Sequence, residues 1–302
     1  MRQYSVFGLR VRSGIDLPEL FEALGEGDAD VDIELGAIDA PAMNDGLTAV
    51  AGGLLLTIPD VGRFLISDGD RIMIEPLHEV DARNVRLFLL GSAFGVLLHQ
   101  RGLLPLHANA VEIGGKAVAF MGGSGAGKST LAAWFHDNGY PVLADDVSVV
   151  RYGQDMRAYV AVGLPRLRLW RDALEFTSRA PEQFQRSYAG DSPYDKFDVP
   201  TGSNAAVEAD RELAAVFELS RGDTLTFERL EGVDLVNAVY AHTYRGEFLT
   251  VVGGKNAHWS AAVRLARSVP FFRVARPWNL ATFDQQFACI VDHVKTQLGL
   301  AR

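Results

Sequence analysis

The fold of this chain is decided by the stretch Gly122-Gly123-Ser124-Gly125-Ala126-Gly127-Lys128-Ser129, which Thr130 follows. The stretch matches the pattern G-x-x-x-x-G-K-[ST] at every fixed position. The apolar run before it, Ala117–Met121, predicts a buried strand, and the run after it, Leu131–Phe135, predicts the first turns of a helix. In this strand–loop–helix context, such a loop wraps a polyphosphate with its backbone N–H groups.

The residue types within the loop predict a division of tasks. Glycines let the backbone approach phosphate oxygens closely, and the helix N-terminus adds the positive end of its dipole. Lys128 would reach the β- and γ-phosphates, and the Ser129 hydroxyl would bind Mg²⁺. We therefore expect Mg²⁺ and ATP as cofactors, with nucleotide contacts from Gly122, Gly123, Ser124, Gly125, Ala126, Gly127, Lys128, Ser129 and Thr130. The competing interpretation is a glycine-rich turn that binds nothing.

Composition excludes several classes of protein. With 302 residues, 48% apolar and 22% charged, the chain has room for one large or two modest domains. The formal charge of −9 argues against nucleic acid as a partner. The longest apolar stretch, Leu87–Leu98, is too short to cross a bilayer, so we expect neither a membrane span nor a signal peptide. The one cysteine, Cys289, is expected to be buried and suits a reducing cytoplasm.

The predicted elements divide the chain near residue 81. Residues 1–81 are strand-rich, with predicted strands at Tyr4–Val11, Val31–Ile38 and Leu54–Ile58 and a hairpin of Gly62–Ile66 with Arg71–Glu75. We predict an N-terminal β-rich accessory domain over 1–81 and an α/β catalytic domain over 82–302.

The predicted catalytic part alternates helices and strands. Its elements are a helix at Ala82–Gln100, strands at Leu106–Ile113, Lys116–Met121 and Pro141–Ala144, a hairpin of Ala214–Glu218 with Thr224–Arg229, and a closing helix at Leu280–Leu298. The polar segment Ala180–Asn204, rich in proline and glycine, predicts a long loop that would serve as a lid or substrate loop.

Two acids follow the strand that we expect to lie beside the loop strand. Asp145 and Asp146 would sit at the sheet edge that faces the nucleotide. One carboxylate there can hold the metal, and a second can accept the proton of an attacking hydroxyl. Adjacent positions on a strand predict opposite faces and hence separate roles. His107, on the strand ahead of the loop, could contact a phosphate or an acid, or be a core histidine.

Three segments together resemble the catalytic domain of the HPr kinase/phosphorylase family: Leu106–Val111, the glycine-rich loop, and Leu143-Ala144-Asp145-Asp146-Val147. The resemblance implies an α/β fold, a P-loop kinase domain of the HPr kinase/phosphoenolpyruvate carboxykinase type. It also implies that Asp145 is the base that deprotonates an acceptor serine, and that Lys128 stabilises the transferred group. Asp146 and Ser129 would lie at the metal, and His107 would line the site.

Other segments look more like the short HPr-kinase-like proteins of lasso-peptide and other peptide natural-product pathways: Gly102–His107, Pro165–Trp170 and Val269–Val274. Residues Ala161–Trp170 also lack the Glu-Arg-Gly run of the HPr kinase signature. The resemblance implies a Mg²⁺-dependent serine kinase whose acceptor is a peptide or small protein. The donor (ATP, GTP or pyrophosphate) and a homo-oligomeric assembly stay open.

Three alternatives compete with that interpretation: an HPr serine kinase/phosphorylase, a non-kinase nucleotide-binding switch, and a pathway chaperone that binds a precursor peptide through the β domain. Several cations of the second half would neutralise a phosphate or a peptide carboxylate: Arg166, Arg168, Lys196, Arg273 and Arg276. Arg166 and Arg168 form the best pair, because their i, i+2 spacing places them on one strand face.

Overall fold

The computed structural model describes residues 1–25, 27–41, 44–192, 194–201 and 209–300. Within these ranges the chain is a mixed α/β protein with three sheets. None of the helices in these ranges is both long and apolar enough to cross a membrane.

Residues 2–76 form an eight-stranded sheet, as their strand-rich pattern predicts. Its strands are β1 (Arg2–Val6), β2 (Leu9–Ser13), β3 (Phe21–Glu22), β4 (Val31–Leu35), β5 (Gly46–Val50), β6 (Gly53–Ile58), β7 (Gly62–Ser67) and β8 (Arg71–Pro76). Their order across the sheet is β3-β1-β2-β4-β8-β7-β6-β5. The hairpin of β7 with β8 is confirmed. The single strand predicted at Tyr4–Val11 is instead a second hairpin, because Phe7 and Gly8 turn the chain with φ of 54° and 71°.

The helix predicted over residues 82–100 is present in three consecutive parts. Helix α1 (Ala82–Phe88) leads through a π-helical turn (Leu89–Ala93) into α2 (Phe94–Gln100). A side chain at Gly95 would lie 3.2 Å from the ring of Tyr244, so the missing Cβ lets that tyrosine pack directly on α2.

Twelve strands follow in the described part of residues 104–276. They are β9 (Leu104–Leu106), β10 (Ala108–Ile113), β11 (Lys116–Gly122), β12 (Val142–Ala144), β13 (Ser148–Tyr152), β14 (Ala158–Val160), β15 (Arg166–Trp170), β16 (Gln185–Arg186), β17 (Lys196–Pro200), β18 (Arg211–Arg221), β19 (Thr226–Leu230) and β20 (Phe271–Arg276). The strand predicted at Leu106–Ile113 is split at His107, because β9 pairs with β13 whereas β10 pairs with β11.

In the central sheet, two strands pair with partners other than the predicted ones. Its order is β12-β10-β11-β18-β14-β13-β9, with β20 paired to β18. Strand β12 therefore lies beside β10 and not beside the loop strand β11. Strand β19 pairs with β20 and not with β18, so the hairpin predicted from sequence adjacency is wrong.

A small sheet of order β15-β17-β16 lies next to the central one. Two of its strands come from Ala180–Asn204, which the sequence predicts to be a loop. The described part of that segment instead contains a 3₁₀ turn (Pro181–Gln183) together with β16 and β17. Its residues Pro193 and Gly202–Asn204 lie outside the described residues.

Six further helices follow in the described part of the chain. They are α3 (Lys128–Asp137), α4 (Arg171–Phe176), α5 (Gly232–Ala241), α6 (Leu249–Val252), α7 (Lys255–Ser268) and α8 (Phe283–Gln297), with 3₁₀ turns at Gly246–Phe248 and Leu280–Thr282. On α8, Phe283, Phe287 and Ile290 are buried. Cys289 falls on the opposite face and is exposed, so the prediction that it is buried is wrong.

One hydrophobic core joins the two predicted parts of the chain. It contains Phe64 and Ile74 of the first sheet, Phe94 of α2, and Val149 and Ala161 from the neighbourhood of β13 and β14. Further clusters line both faces of β11 and hold the loop strand in the middle of the protein.

Candidate active site

The glycine-rich loop joins β11 to α3 as the sequence predicts. Helix α3 begins at Lys128, and Gly127 directly before it has φ of 83°. Gly125 also has a positive φ, 74°. These left-handed conformations favour glycine, so the residue pattern of the loop matches the backbone that it adopts.

Lys128 is buried at the start of α3. Its Nζ donates hydrogen bonds to the carbonyl oxygens of Gly122 at 2.7 Å and Gly123 at 3.3 Å. Burial lowers the pKa of Lys128, while Asp146 and Asp145 oppose this shift electrostatically. Lys128 therefore belongs to the same electrostatic cluster as the two predicted acids. Ser129 and Thr130 follow on the first turn of α3 and are half-buried.

A buried asparagine supports this turn from below. The side-chain amide of Asn109 donates a hydrogen bond to the carbonyl oxygen of Lys128. Asn109 lies on β10 and is fully buried, so it links the strand next to the loop strand with the first residue of α3. Sequence analysis missed this residue, although a lone amide within the apolar run Leu106–Val111 is a usable signal.

Asp145 lies just beyond the end of β12 and is buried. Its Oδ2 accepts a hydrogen bond from the backbone N–H of Arg168 at 2.7 Å. Its Oδ1 is buried and makes no hydrogen bond with any described residue. Burial, followed by the neighbouring charge of Asp146, raises the pKa of Asp145 to about 6. Such a carboxylate is ionised at neutral pH and basic enough to take up a proton.

Asp146 has a different environment from its neighbour. With φ of 69° it departs from the extended strand that the sequence predicts. Its carboxylate lies 3.3 Å from Arg168 Nη1 and 3.9 Å from both Lys196 Nζ and His107 Nε2. Burial alone would raise the pKa of Asp146, but Lys196 and Arg168 outweigh it and lower the pKa to about 2. The two adjacent acids thus have pKa values shifted in opposite directions, the pattern expected when two carboxylates serve different roles.

His107 lies between Asp146 and a half-buried tyrosine, Tyr244. Its backbone N–H donates to the carbonyl oxygen of His242 at 2.7 Å, and its ring meets that of Tyr244 edge to face at 6.1 Å. Burial, with the nearby charge of Lys128, lowers the pKa of His107 to about 4. His107 is therefore neutral at pH 7.

Next to the acids lies a small cavity of about 20 Å³ lined by Leu90, Gly91, Asp145, Asp146, Val147, Leu164, Arg166, Arg168 and Tyr244. A space of this size holds about one water molecule. Both acids line this cavity, together with the two arginines of β15.

Three of the predicted cations meet near the acids, and two do not. Arg166 and Arg168 both pair with Asp198 of β17, and Lys196 lies on the same strand. Arg273 pairs with Glu218 elsewhere on the central sheet. Arg276 contacts the glycine-rich loop itself, through a hydrogen bond to the carbonyl oxygen of Ala126 at 3.2 Å.

The oxygen atoms present suit Mg²⁺ shared with a nucleotide. Among the described residues, no group of three or more His, Cys, Asp or Glu side chains is arranged to hold a metal ion. Mg²⁺ bound with phosphates needs only one or two protein oxygens beside water. The hydroxyl of Ser129, on the first turn of α3, is one such oxygen. Asp146 faces basic side chains, and its place at the metal stays a prediction.

Comparisons with known proteins add little at this level of similarity. No protein-family model matches the sequence. No curated protein matches it either. Among solved structures, the chain matches the HPr(Ser) kinase/phosphatase from Coxiella burnetii with 11% identity and a TM-score of 0.36. The match covers 64% of this chain and 98% of the other. At that TM-score it carries no argument about the activity of this chain.

Proposed function

We propose that this protein is a Mg²⁺-dependent kinase that transfers a phosphoryl group from a nucleoside triphosphate to a serine hydroxyl of a peptide or small protein. The observation that carries the proposal is the environment of Asp145. It is a buried carboxylate with one unpaired oxygen and a raised pKa, in the same cluster as the lysine of a glycine-rich phosphate-type loop. A general base next to a phosphate site is what hydroxyl phosphorylation requires.

Each residue of the cluster has a task in this proposal. The loop amides bind the polyphosphate, and Lys128 moves from its carbonyl partners to the transferred group, where its charge is needed. Mg²⁺, when bound, would be held by Ser129 with Asp146 and would neutralise charge on the phosphate oxygens. Asp145 takes the proton of the acceptor hydroxyl through Oδ1. Arg168 holds Asp145 in place by its backbone N–H and keeps Asp146 ionised by its side chain.

The nature of the acceptor rests on sequence similarity alone. The segments that look like lasso-pathway kinases favour a serine of a precursor peptide. The absent Glu-Arg-Gly run counts against a phosphocarrier protein and against the reverse phosphorolysis. A nucleotide-binding switch would also keep the loop, but it has no use for an acceptor base such as Asp145.

Asp145→Asn tests the proposal. We expect phosphoryl transfer to a serine peptide to fall at least about 100-fold while the Kd for ATP changes less than about twofold, because a general base acts only in the transition state. The measurement is transfer of labelled γ-phosphate with the product identified by mass spectrometry. The acceptors are a precursor-type peptide and a phosphocarrier protein.

Asp234→Asn is the matched control, since Asp234 is exposed on the first turn of α5 and should leave the rate unchanged. Transfer by Asp145→Asn at the wild-type rate would exclude Asp145 as the base. Labelled free phosphate without labelled peptide would favour the switch instead.

A further inference from the structure

An exposed tryptophan stands over the glycine-rich loop, outside the acid cluster. Trp278 follows β20 and is 40% exposed, so part of its ring faces solvent. A Cβ built on Gly127 would lie 3.1 Å from the ring of Trp278, so the ring covers the backbone at the last glycine of the loop. An aromatic surface thus lies directly beside the place where the phosphates of a nucleotide would bind.

The ring of Trp278 is held in a fixed position. It meets Phe283 edge to face, with ring centroids 5.2 Å apart. The guanidinium of Arg276 lies 5.0 Å from its centroid and also packs against Phe283 at 4.4 Å. Arg276 is 1% exposed and donates hydrogen bonds to Ala126 of the loop and to Gln286 of α8. The loop, Arg276 and Trp278 therefore form one packed unit.

A second cation lies at the same ring in solvent. Arg221, at the exposed end of β18, has its guanidinium 4.7 Å from the centroid of Trp278. An exposed aromatic ring with an exposed arginine beside it is the combination that binds a nucleobase by stacking and a phosphate by charge. Inorganic pyrophosphate or tripolyphosphate would bind to the loop through its phosphates, but it has no base that could stack on the ring of Trp278.

We propose that Trp278 is the base-stacking surface for the phosphate donor, and that the base takes the place of the Arg221 guanidinium over the ring. The donor is then a nucleoside triphosphate and not an inorganic polyphosphate. This inference rests on the proposed function for the presence of a phosphate at the loop, but it needs no transfer reaction. It assigns a ligand contact to the segment after β20, about 150 residues away from the loop in sequence.

Binding of two ligands to Trp278→Ala tests this site. We expect the Kd for ATP to rise about tenfold or more, as loss of one base–aromatic stack requires, and the Kd for inorganic tripolyphosphate to stay within about twofold. Calorimetric titration measures both. Trp278→Phe, which keeps an aromatic face, should retain most of the ATP affinity. Trp259→Ala removes another exposed tryptophan, on α7, and should change neither Kd.

The outcomes separate this site from the kinase proposal. Equal weakening of both ligands by Trp278→Ala and Trp278→Phe would show that the ring only supports the loop, and an unchanged ATP Kd would show that the base does not stack there. Either result overturns the inference. If Trp278→Ala selectively weakens ATP binding while the wild-type protein transfers no phosphate to serine, the base-stacking site is supported and the kinase proposal is rejected. A wild-type protein that binds neither ligand would overturn both.

Discussion

The two acids that follow β12 show how the surroundings of a residue decide its chemistry. Asp145 and Asp146 are neighbours in sequence and identical in type, yet burial raises the pKa of one and basic side chains lower that of the other. The raised pKa has a cost in stability. The folded protein binds a proton at Asp145 more tightly than the unfolded chain does, so folding becomes less favourable as pH rises through about 6.

Asp145→Asn should remove that cost. Below about pH 4 the wild-type carboxyl is protonated in the folded state and differs little from an amide. Above pH 6 the wild type buries a charge and the variant does not, while the amide oxygen still accepts from Arg168. We expect the unfolding free energy of the variant, relative to wild type, to rise by about 1–3 kcal/mol between pH 4.5 and pH 8. Urea denaturation at the two pH values measures it, and a difference that shrinks with pH would refute the assignment.

At the scale of an element, the loop between β11 and α3 depends on both backbone conformation and space. Gly125 and Gly127 share a left-handed backbone, but only Gly127 is crowded. A Cβ at Gly125 would meet no atom within 4 Å, whereas one at Gly127 would collide with the guanidinium of Arg276. The two glycines are therefore a matched pair.

Gly125→Ala should cost about 1 kcal/mol of stability through backbone strain alone. Gly127→Ala should cost about 2–4 kcal/mol, because it adds displacement of a buried arginine to the same strain. Thermal and urea unfolding of the two variants give the comparison. Equal losses would mean that Arg276 moves aside freely and does not fix the loop.

A second matched pair consists of two aspartates that each pair with two arginines: Asp198 on β17, and Asp195 directly before that strand. Asp198 pairs with Arg166 and Arg168, which are 13% and 15% exposed. Asp195 pairs with Arg171 and Arg186, which are 47% and 34% exposed. If Asp195 is removed, water can solvate its exposed arginines. If Asp198 is removed, water reaches its largely buried arginines much less.

Asp198→Ala should therefore destabilise the protein by about 3 kcal/mol, because it removes the carboxylate that Arg166 pairs with and leaves the largely buried Arg168 with Asp146 alone. Asp195→Ala should have a much smaller effect. Urea midpoints of the two variants test the difference, and similar midpoints would show that the Asp198 pairs are as well solvated as the exposed ones.

At the scale of the whole molecule, the hydrophobic core that contains Phe64 and Phe94 extends across the predicted domain boundary at residue 81. Phe7, in the turn between β1 and β2, is 1% exposed and packs against Phe94 of α2 at 6.3 Å. Its backbone N–H also donates to Val162 at 2.8 Å. Because such contacts join the two predicted parts, we propose that they unfold together and not as independent domains.

Phe7→Ala tests that proposal with the tryptophans, all of which lie in residues 82–302. The substitution should cost about 3–5 kcal/mol and lower the urea midpoint seen by tryptophan fluorescence, although Phe7 lies in the other part. Phe21→Ala, on the exposed face of β3, should leave the midpoint nearly unchanged. Loss of hydrogen-exchange protection in β6–β8 with an unchanged tryptophan midpoint would show independent unfolding.

The sequence predicts the individual helices, strands and turns of this molecule better than it predicts which strands pair with each other. The loop, the β7–β8 hairpin and the helix over residues 82–100 follow from short patterns of glycine, turn residues and apolar spacing. The Lys196–Pro200 strand escapes that analysis because its charged residues resemble a solvent-exposed loop, whereas they are half-buried and form ion pairs. Sequence analysis also misses the pairing of β19 with β20, because β19 follows β18 closely in sequence and a hairpin of β18 with β19 is the expected arrangement.

What the sequence determined by itself is the strand–loop–helix unit around Lys128, since glycine conformation, helix start and strand burial depend on neighbouring residues. Tertiary structure alone decided which side chains surround Asp145 and Asp146, because Arg168, Lys196 and Tyr244 come from distant positions. Ionisation depends on burial and on nearby charge, and neither is set until those distant segments pack together. The same holds for Trp278, whose place over the loop becomes visible only once β20 lies beside β18.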